Sequence, residues 1–212
     1  MNRTTQDQEI LSKLKQQAFV PVIRVKSIKL ARKAIEWLAT DGVSVVELTL
    51  TIPGLMDELK NICADPALTV GVGTVRDFAT AKEAVRAGGR FIVTPFPVEG
   101  FEKADFPFFM GALTPGEVNW TLAQKPTGVK IFPASLGGPS HIKAMKAIFP
   151  GTLFFPTGGI HQDNFTEYLK AGASVVGMGD RLLNDELLES GNRQDLTARI
   201  NKIRSALSSP NS

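Results

Sequence analysis

A chain of 212 residues, 43% hydrophobic and 21% charged, has enough apolar material for one core and reads as a single globular domain over 1–212. Its 24 basic and 21 acidic residues leave a formal charge of +3 and are interspersed, which excludes the clustered basic stripe of a nucleic-acid binder and leaves small anions as plausible ligands. One cysteine (Cys63), two histidines (His141, His161) without neighbours at zinc-ligand spacing, a polar start (MNRTTQDQEI) and no apolar run near ~18 residues together predict a metal-free cytoplasmic protein with no membrane partner.

Residues 1–17 read as a helix that precedes the repeating part of the chain. From there, β-branched runs alternate with segments of helical period, the pattern a parallel sheet with crossover helices requires. The predicted strands are Phe19–Arg24, Val43–Leu50, Leu68–Val72, Arg90–Thr94, Phe106–Met110, Gly128–Phe132, Thr152–Phe155 and Ser174–Gly177. Most are almost unbroken apolar runs, as expected of strands covered on both faces. Between them, IKLARKAIEWLAT and DFATAKEAVRAGG carry apolar residues at helical spacing, and the second ends in glycine. About eight such units in this length match the lower size limit of an α/β (β/α)8 TIM barrel with an extra N-terminal helix. A doubly wound open sheet is the alternative, ranked lower because no G-x-G-x-x-G follows the first strand. Residues 192–212 predict a last amphipathic helix with a frayed polar end.

Chemistry-bearing residues cluster at or near the C-terminal ends of these strands, where barrel sites form. Arg24 ends the first strand, where a guanidinium can hold a 2-oxo acid carboxylate through two hydrogen bonds; an ordinary exposed arginine is the competing reading. Glu47 in VVELTLTIP is a carboxylate inside a covered strand, fit either for general acid–base work or for an internal salt bridge to Arg24 or Lys130. In GVGTVRD, Gly71 and Gly73 permit close backbone approach and Thr74 offers a hydroxyl and an amide to the same carboxylate, although a plain tight strand-to-helix turn is the better reading of this segment taken alone. The turns VTPFP (93–97) and MGALTP (110–115) shape a pocket rim. Lys130 in TGVKIFPAS sits in a run that should be covered. Desolvation there favours the uncharged amine that attacks carbonyls, and the competing reading is a lysine reaching to solvent. PTGGIHQDN (156–164) puts Thr157, Gly158 and Gly159 ahead of a helix expected near Gln162, a phosphate cradle in many barrels. In GMGDRL (177–182), Gly179 suits an anion nest, but Asp180 brings a negative charge there unless it caps the next helix.

ELTLTIP, GVGTV, KIFPAS with GGPSHIKAMKAIFP, and FPTGGI, in this order and spacing, resemble the 2-keto-3-deoxy-6-phosphogluconate and 4-hydroxy-2-oxoglutarate aldolase family from about Phe19 to Leu183. The Glu strand and the K-x-F-P segment are its specific parts. The resemblance implies a class I lyase that joins or splits pyruvate and an aldehyde without metal or cofactor, and a homotrimer. Lys130 would form the imine and Glu47 would move protons. Arg24 and Thr74 would hold the pyruvate carboxylate, with Pro95 and Phe132 lining the site. Three departures stand out. Thr51 occupies a substrate-side position where many members have arginine, and Asp180 faces the place of a substrate phosphate. The 95–111 stretch is short, so its helix should be reduced. Two rival functions share these motifs: a phosphosugar isomerase or synthase barrel working with carboxylates, and a non-catalytic 2-oxo acid binder.

Overall fold

Apolar strands and amphipathic helices alternate through residues 3–208, the part of the chain this computed structural model describes; the expectations for 1–2 and 209–212 lie outside it. The order is α1 (Arg3–Gln17), β1 (Phe19–Ile23), α2 (Ile28–Thr40), β2 (Val45–Thr49), α3 (Leu55–Ile62), β3 (Thr69–Gly73), α4 (Phe78–Arg86) and β4 (Phe91–Val93). It continues with a 3-10 turn (Phe101–Lys103), β5 (Phe108–Ala112), α5 (Pro115–Ala123), β6 (Gly128–Ile131), a second 3-10 turn (Ala134–Leu136), α6 (Gly138–Ile148), α7 (Phe165–Lys170), β7 (Val176–Met178), α8 (Asp185–Ser190) and α9 (Arg193–Ser208). The short 95–111 stretch thus carries a single 3-10 turn in place of a helix.

The helices start where the chemistry directs. The Ser27 side chain accepts from the Leu30 amide to begin α2, whose Leu30, Ala31, Ala34, Trp37 and Leu38 form one buried face. Thr114 and Glu117 make a reciprocal capping box at α5. There the Thr114 backbone amide and hydroxyl hold the Glu117 carboxyl below its ordinary value. Gln17 ties α1 to the sheet: its amide group donates to the carbonyls of Phe19 and Val45, and its oxygen accepts from the amides of Ser44 and Val45. That capture explains why β2 starts at Val45 rather than Val43.

All seven strands are parallel, in the order β6-β5-β4-β3-β2-β1-β7. From β1 to β6, strands adjacent in sequence are adjacent in space, and β7 returns beside β1, an order without the reversal point of a doubly wound sheet, so that alternative is excluded. Thr152–Phe155, expected as a strand, is not one. It runs between β6 and β7 through isolated bridges, Val129 with Phe154 and Thr157 with Gly177. The Phe155 and Thr157 amides donate to Val129 and Ile131 at 2.8 and 3.0 Å, and Gly177 donates to Pro156 at 2.9 Å. Pro156 has no N–H to continue the ladder, which limits the segment to bridges. Pro107 likewise delays β5 by two residues relative to the expected Phe106.

Two faces are buried, as both-sided apolar strands demand. The outer core packs the helices against the sheet through residues such as Leu38, Val72, Phe108 and Ile131. The inner core combines Val20, Val45, Phe91, Phe109 and Phe155 with Ile10 and Leu14 of α1. Phe109 meets Phe91 and Phe155 edge-on at 5.7 and 5.5 Å between ring centroids. Each buried phenylalanine contributes about 2–3 kcal/mol of transfer free energy, so this aromatic plug makes one end of the interior rigid. Room for it comes from Gly71, where a Cβ would lie 2.1 Å from the Phe91 ring.

Candidate active site

Above the aromatic plug the same inward alternation that points Val45 and Phe109 into the interior points Glu47 and Lys130 there too. Lys130 is 5% exposed and Glu47 is fully buried. Four strand steps separate β6 from β2. In a flat sheet that is about 19 Å, beyond the joint reach of the two side chains. The curl of the sheet brings Lys130 Nζ to 3.2 Å from Glu47 Oε1. Of the readings open to Glu47, the partner is therefore Lys130 rather than Arg24. The second carboxylate oxygen, Oε2, is buried without a hydrogen-bond partner among the described residues. A buried acceptor left unpaired costs about 1–3 kcal/mol, which a ligand hydroxyl or water in this position would recover.

Two glycines make this contact possible. A Cβ at Gly73 would stand 2.0 Å from Glu47 Oε1, so the carboxylate occupies the space a side chain would take. Gly111 is the register partner of Lys130, and a Cβ there would stand 2.2 Å from the Pro95 carbonyl carbon. Thr94 fixes that approach, its Oγ1 accepting from the Gly111 amide at 3.1 Å and donating to the Phe96 carbonyl at 2.8 Å. Displacing a catalytic group by about 1 Å costs on the order of 10²-fold in rate. Gly73→Ala is accordingly expected to lower kcat by about that factor. Steady-state kinetics beside a thermal melt would check it, and an unchanged kcat would show that the Glu47 position is irrelevant to turnover.

The other expected residues lie at or just after the C-terminal ends of the strands, and those that share a cavity do so without Lys130, Glu47, Thr74 or Pro95 in its lining. Thr74 follows β3 with φ +60°, a left-handed conformation that a β-branched side chain adopts only at a cost of about 1–3 kcal/mol. Phe132 bridges the pair and the solvent: its ring centroid lies 5.6 Å from Lys130 Nζ, and it walls a cavity of about 460 Å³. Arg24, Thr157, Gly158, Gly159, Gly179 and Asp180 line the same cavity. Thr51 does not; it is exposed and shares a 2.7 Å hydrogen bond with Thr49.

Two expectations about the loops need correction. The helix foreseen near Gln162 starts at Phe165, because Asn164 folds back to accept from the His161 amide and donate to the Gly159 carbonyl. With only six residues it offers no useful terminus, so any anion here meets the turn of Gly158 and Gly159, at φ +100° and +77°, rather than a helix end. Asp180 does not cap the following helix either. Asn184 does so, accepting from the Leu187 amide. Arg181 and Asn184, which also line the cavity, escaped the sequence reading: Arg181 looks like any exposed loop cation, and the N-D-E start of α8 was the available signal for Asn184.

A larger cavity of about 570 Å³ lies at the other end of the strands, lined by Ile10, Lys13, Cys63, Thr69 and Arg90. Several of its polar groups are engaged within the protein, whereas Gln6 Oε1 in the same lining is buried without a hydrogen-bond partner among the described residues. Lys13 meets Glu9 and Thr69, Arg90 meets Glu9, and burial pushes the Cys63 thiol up to about 11. Among the described residues no cluster of three or more His, Cys, Asp or Glu could hold a metal ion, and no helix is long and apolar enough to cross a membrane.

Comparison with known proteins bears on this geometry. Residues 10–199 match the family model described as KDPG and KHG aldolase. The KHG/KDPG aldolase of Escherichia coli K12 is 32% identical over 186 residues, covering 84% of this chain and 86% of that protein. The 2-dehydro-3-deoxy-phosphogluconate aldolase of Haemophilus influenzae is 28% identical over 96% of this chain and 98% of its own length. Among solved structures, the KDPG aldolase of Legionella pneumophila with pyruvate captured as a covalent carbinolamine superposes with a TM-score of 0.77. It is 30% identical and covers 88% of this chain and 95% of that one.

Proposed function

The chain belongs to the KDPG and KHG aldolase family, and from that premise we propose that it is a class I lyase that cleaves a 2-oxo-4-hydroxy acid to pyruvate and an aldehyde through an imine on Lys130. The observation that carries the residue assignment is the buried 3.2 Å contact between Lys130 Nζ and Glu47 Oε1. Passing one proton across it turns two buried charges into two neutral groups and frees the amine lone pair.

The amine adds to the 2-oxo carbon, and Glu47 protonates the departing hydroxyl so that water leaves and an iminium remains. The iminium is the electron sink, so no metal is needed to polarise the carbonyl. Glu47, now a carboxylate, takes the 4-hydroxyl proton while the C3–C4 electron pair moves into an enamine and the aldehyde departs. Protonation at C3 and addition of water then release pyruvate and restore the lysine. Arg24 and Thr74 hold the 2-oxo acid carboxylate, Phe132 and Pro95 wall the reacting carbons, and the chain from C4 onward extends toward Thr157, Gly158, Gly159, Gly179 and Asp180, with Thr51 at the rim.

The lysine contact favours this reading over an isomerase or synthase relying on carboxylates alone. We further read the sheet as a (β/α)8 barrel with residues 153–157 as its seventh staff and α1 as the extra helix, a view supported by their bonds to β6 and β7. A homotrimer is supported by the exposed Phe96, Trp120 and Leu136 on successive segments after β4, β5 and β6. The lone Cys63 fits a cytoplasmic protein. The test is pyruvate release from 2-oxo-4-hydroxy acids in the presence of a chelator: undiminished cleavage is expected, and activity that vanishes with chelation would contradict the proposal.

A further inference from the structure

Three charged side chains face the 460 Å³ cavity, Arg24, Asp180 and Arg181. Among the described residues none of the three makes a side-chain hydrogen bond or ion pair. If Arg24 holds the 2-oxo acid carboxylate, the far end keeps one cation and one anion, a formal balance of zero. We propose that Asp180 fits this far end to a hydroxyl group in place of a phosphate, so that the aldehyde half of the substrate is an unphosphorylated polyhydroxy chain.

This inference rests on the aldolase reading and adds the substrate class. Three features carry it. A phosphate dianion seated on the Gly158–Gly159 turn would share the cavity with the Asp180 carboxylate, and Arg181 only cancels that charge. No helix end assists, since α7 and α8 have six residues each and begin at Phe165 and Asp185, with Asn184 already filling the first turn of α8. The remaining polar groups are those that suit hydroxyls. Asp180 as a carboxylate only accepts, and therefore asks for a donor. A polyol end supplies the donor that the exposed Asp180 carboxylate asks for, whereas a phosphate dianion donates nothing.

The experiment compares kcat/KM for cleavage of 2-keto-3-deoxygluconate and its 6-phosphate by the wild-type enzyme and by Asp180→Asn. The variant keeps the shape of an exposed side chain and removes only its charge. The wild type should prefer the unphosphorylated acid. In Asp180→Asn the ratio should move toward the phosphate ester by about tenfold, mainly through KM, as expected for one unit charge near a dianion in a solvent-open cavity. A wild-type preference for the phosphate ester, or a ratio unmoved by the substitution, overturns the proposal. If neither acid is cleaved and wild-type enzyme with pyruvate gives no borohydride-trapped adduct, the aldolase reading itself has failed, and this proposal with it.

Discussion

Lys130→Met is expected to lower cleavage of any 2-oxo-4-hydroxy acid by about 10⁴-fold or more, because removing a covalent nucleophile removes the whole reaction path and not one increment of it. The thioether fills the space of the lysine stem but leaves Glu47 buried without its cation, a change that costs about 3–5 kcal/mol when such a pair is broken. Stability and turnover must therefore be separated. The double variant Lys130→Met with Glu47→Gln removes the orphaned charge, and it should recover much of the lost stability while remaining inactive. Chemical denaturation beside a pyruvate-release assay reads both quantities. Substantial turnover by a folded Lys130→Met protein would remove Lys130 from the mechanism.

Glu47→Gln should act differently. The amide keeps the shape and still accepts a hydrogen bond from Lys130 Nζ, but it cannot carry a proton between steps. Loss of a positioned general acid–base typically costs 10²–10⁴-fold, so kcat should fall by about that range while pyruvate affinity changes far less. The distinction matters because Gly73 leaves room for the carboxylate and Oε2 has no hydrogen-bond partner among the described residues, which leaves that oxygen free to accept from a ligand or water. If Glu47→Gln raised KM while leaving kcat intact, Glu47 would be a structural counter-ion for the lysine and nothing more. The milder Gly73→Ala effect should follow the same pattern, since it displaces the same carboxylate.

Both groups proposed to react are legible in the sequence for one reason: a charge in the middle of an apolar strand is costly, and Lys130 and Glu47 are placed so. Their contact was not legible. They lie 83 residues apart, and only the curl of the sheet converts four strand steps into 3.2 Å. The order of strands and helices could be read from alternating periods, yet Thr152–Phe155 has a strand's composition without forming one, because Pro156, which lacks an N–H, breaks the ladder into isolated bridges at Phe154 and Thr157. Loop capping was harder still. Asp180 and Asn184 are both good capping types near the start of α8, and which of them serves depends on a turn whose Leu182 and Leu183 amides already donate to Gly179. Arg181 was passed over since a loop arginine carries no local sign of the cavity it faces.

One measurement bears most directly on the account: the wild-type protein is incubated with pyruvate, reduced with borohydride, digested and mapped by mass spectrometry. A single stable pyruvate adduct on the peptide containing Lys130, absent without reductant, is the predicted result. An adduct on any other lysine, or none under conditions where the protein cleaves substrate, would contradict the claim that this buried amine carries the reaction.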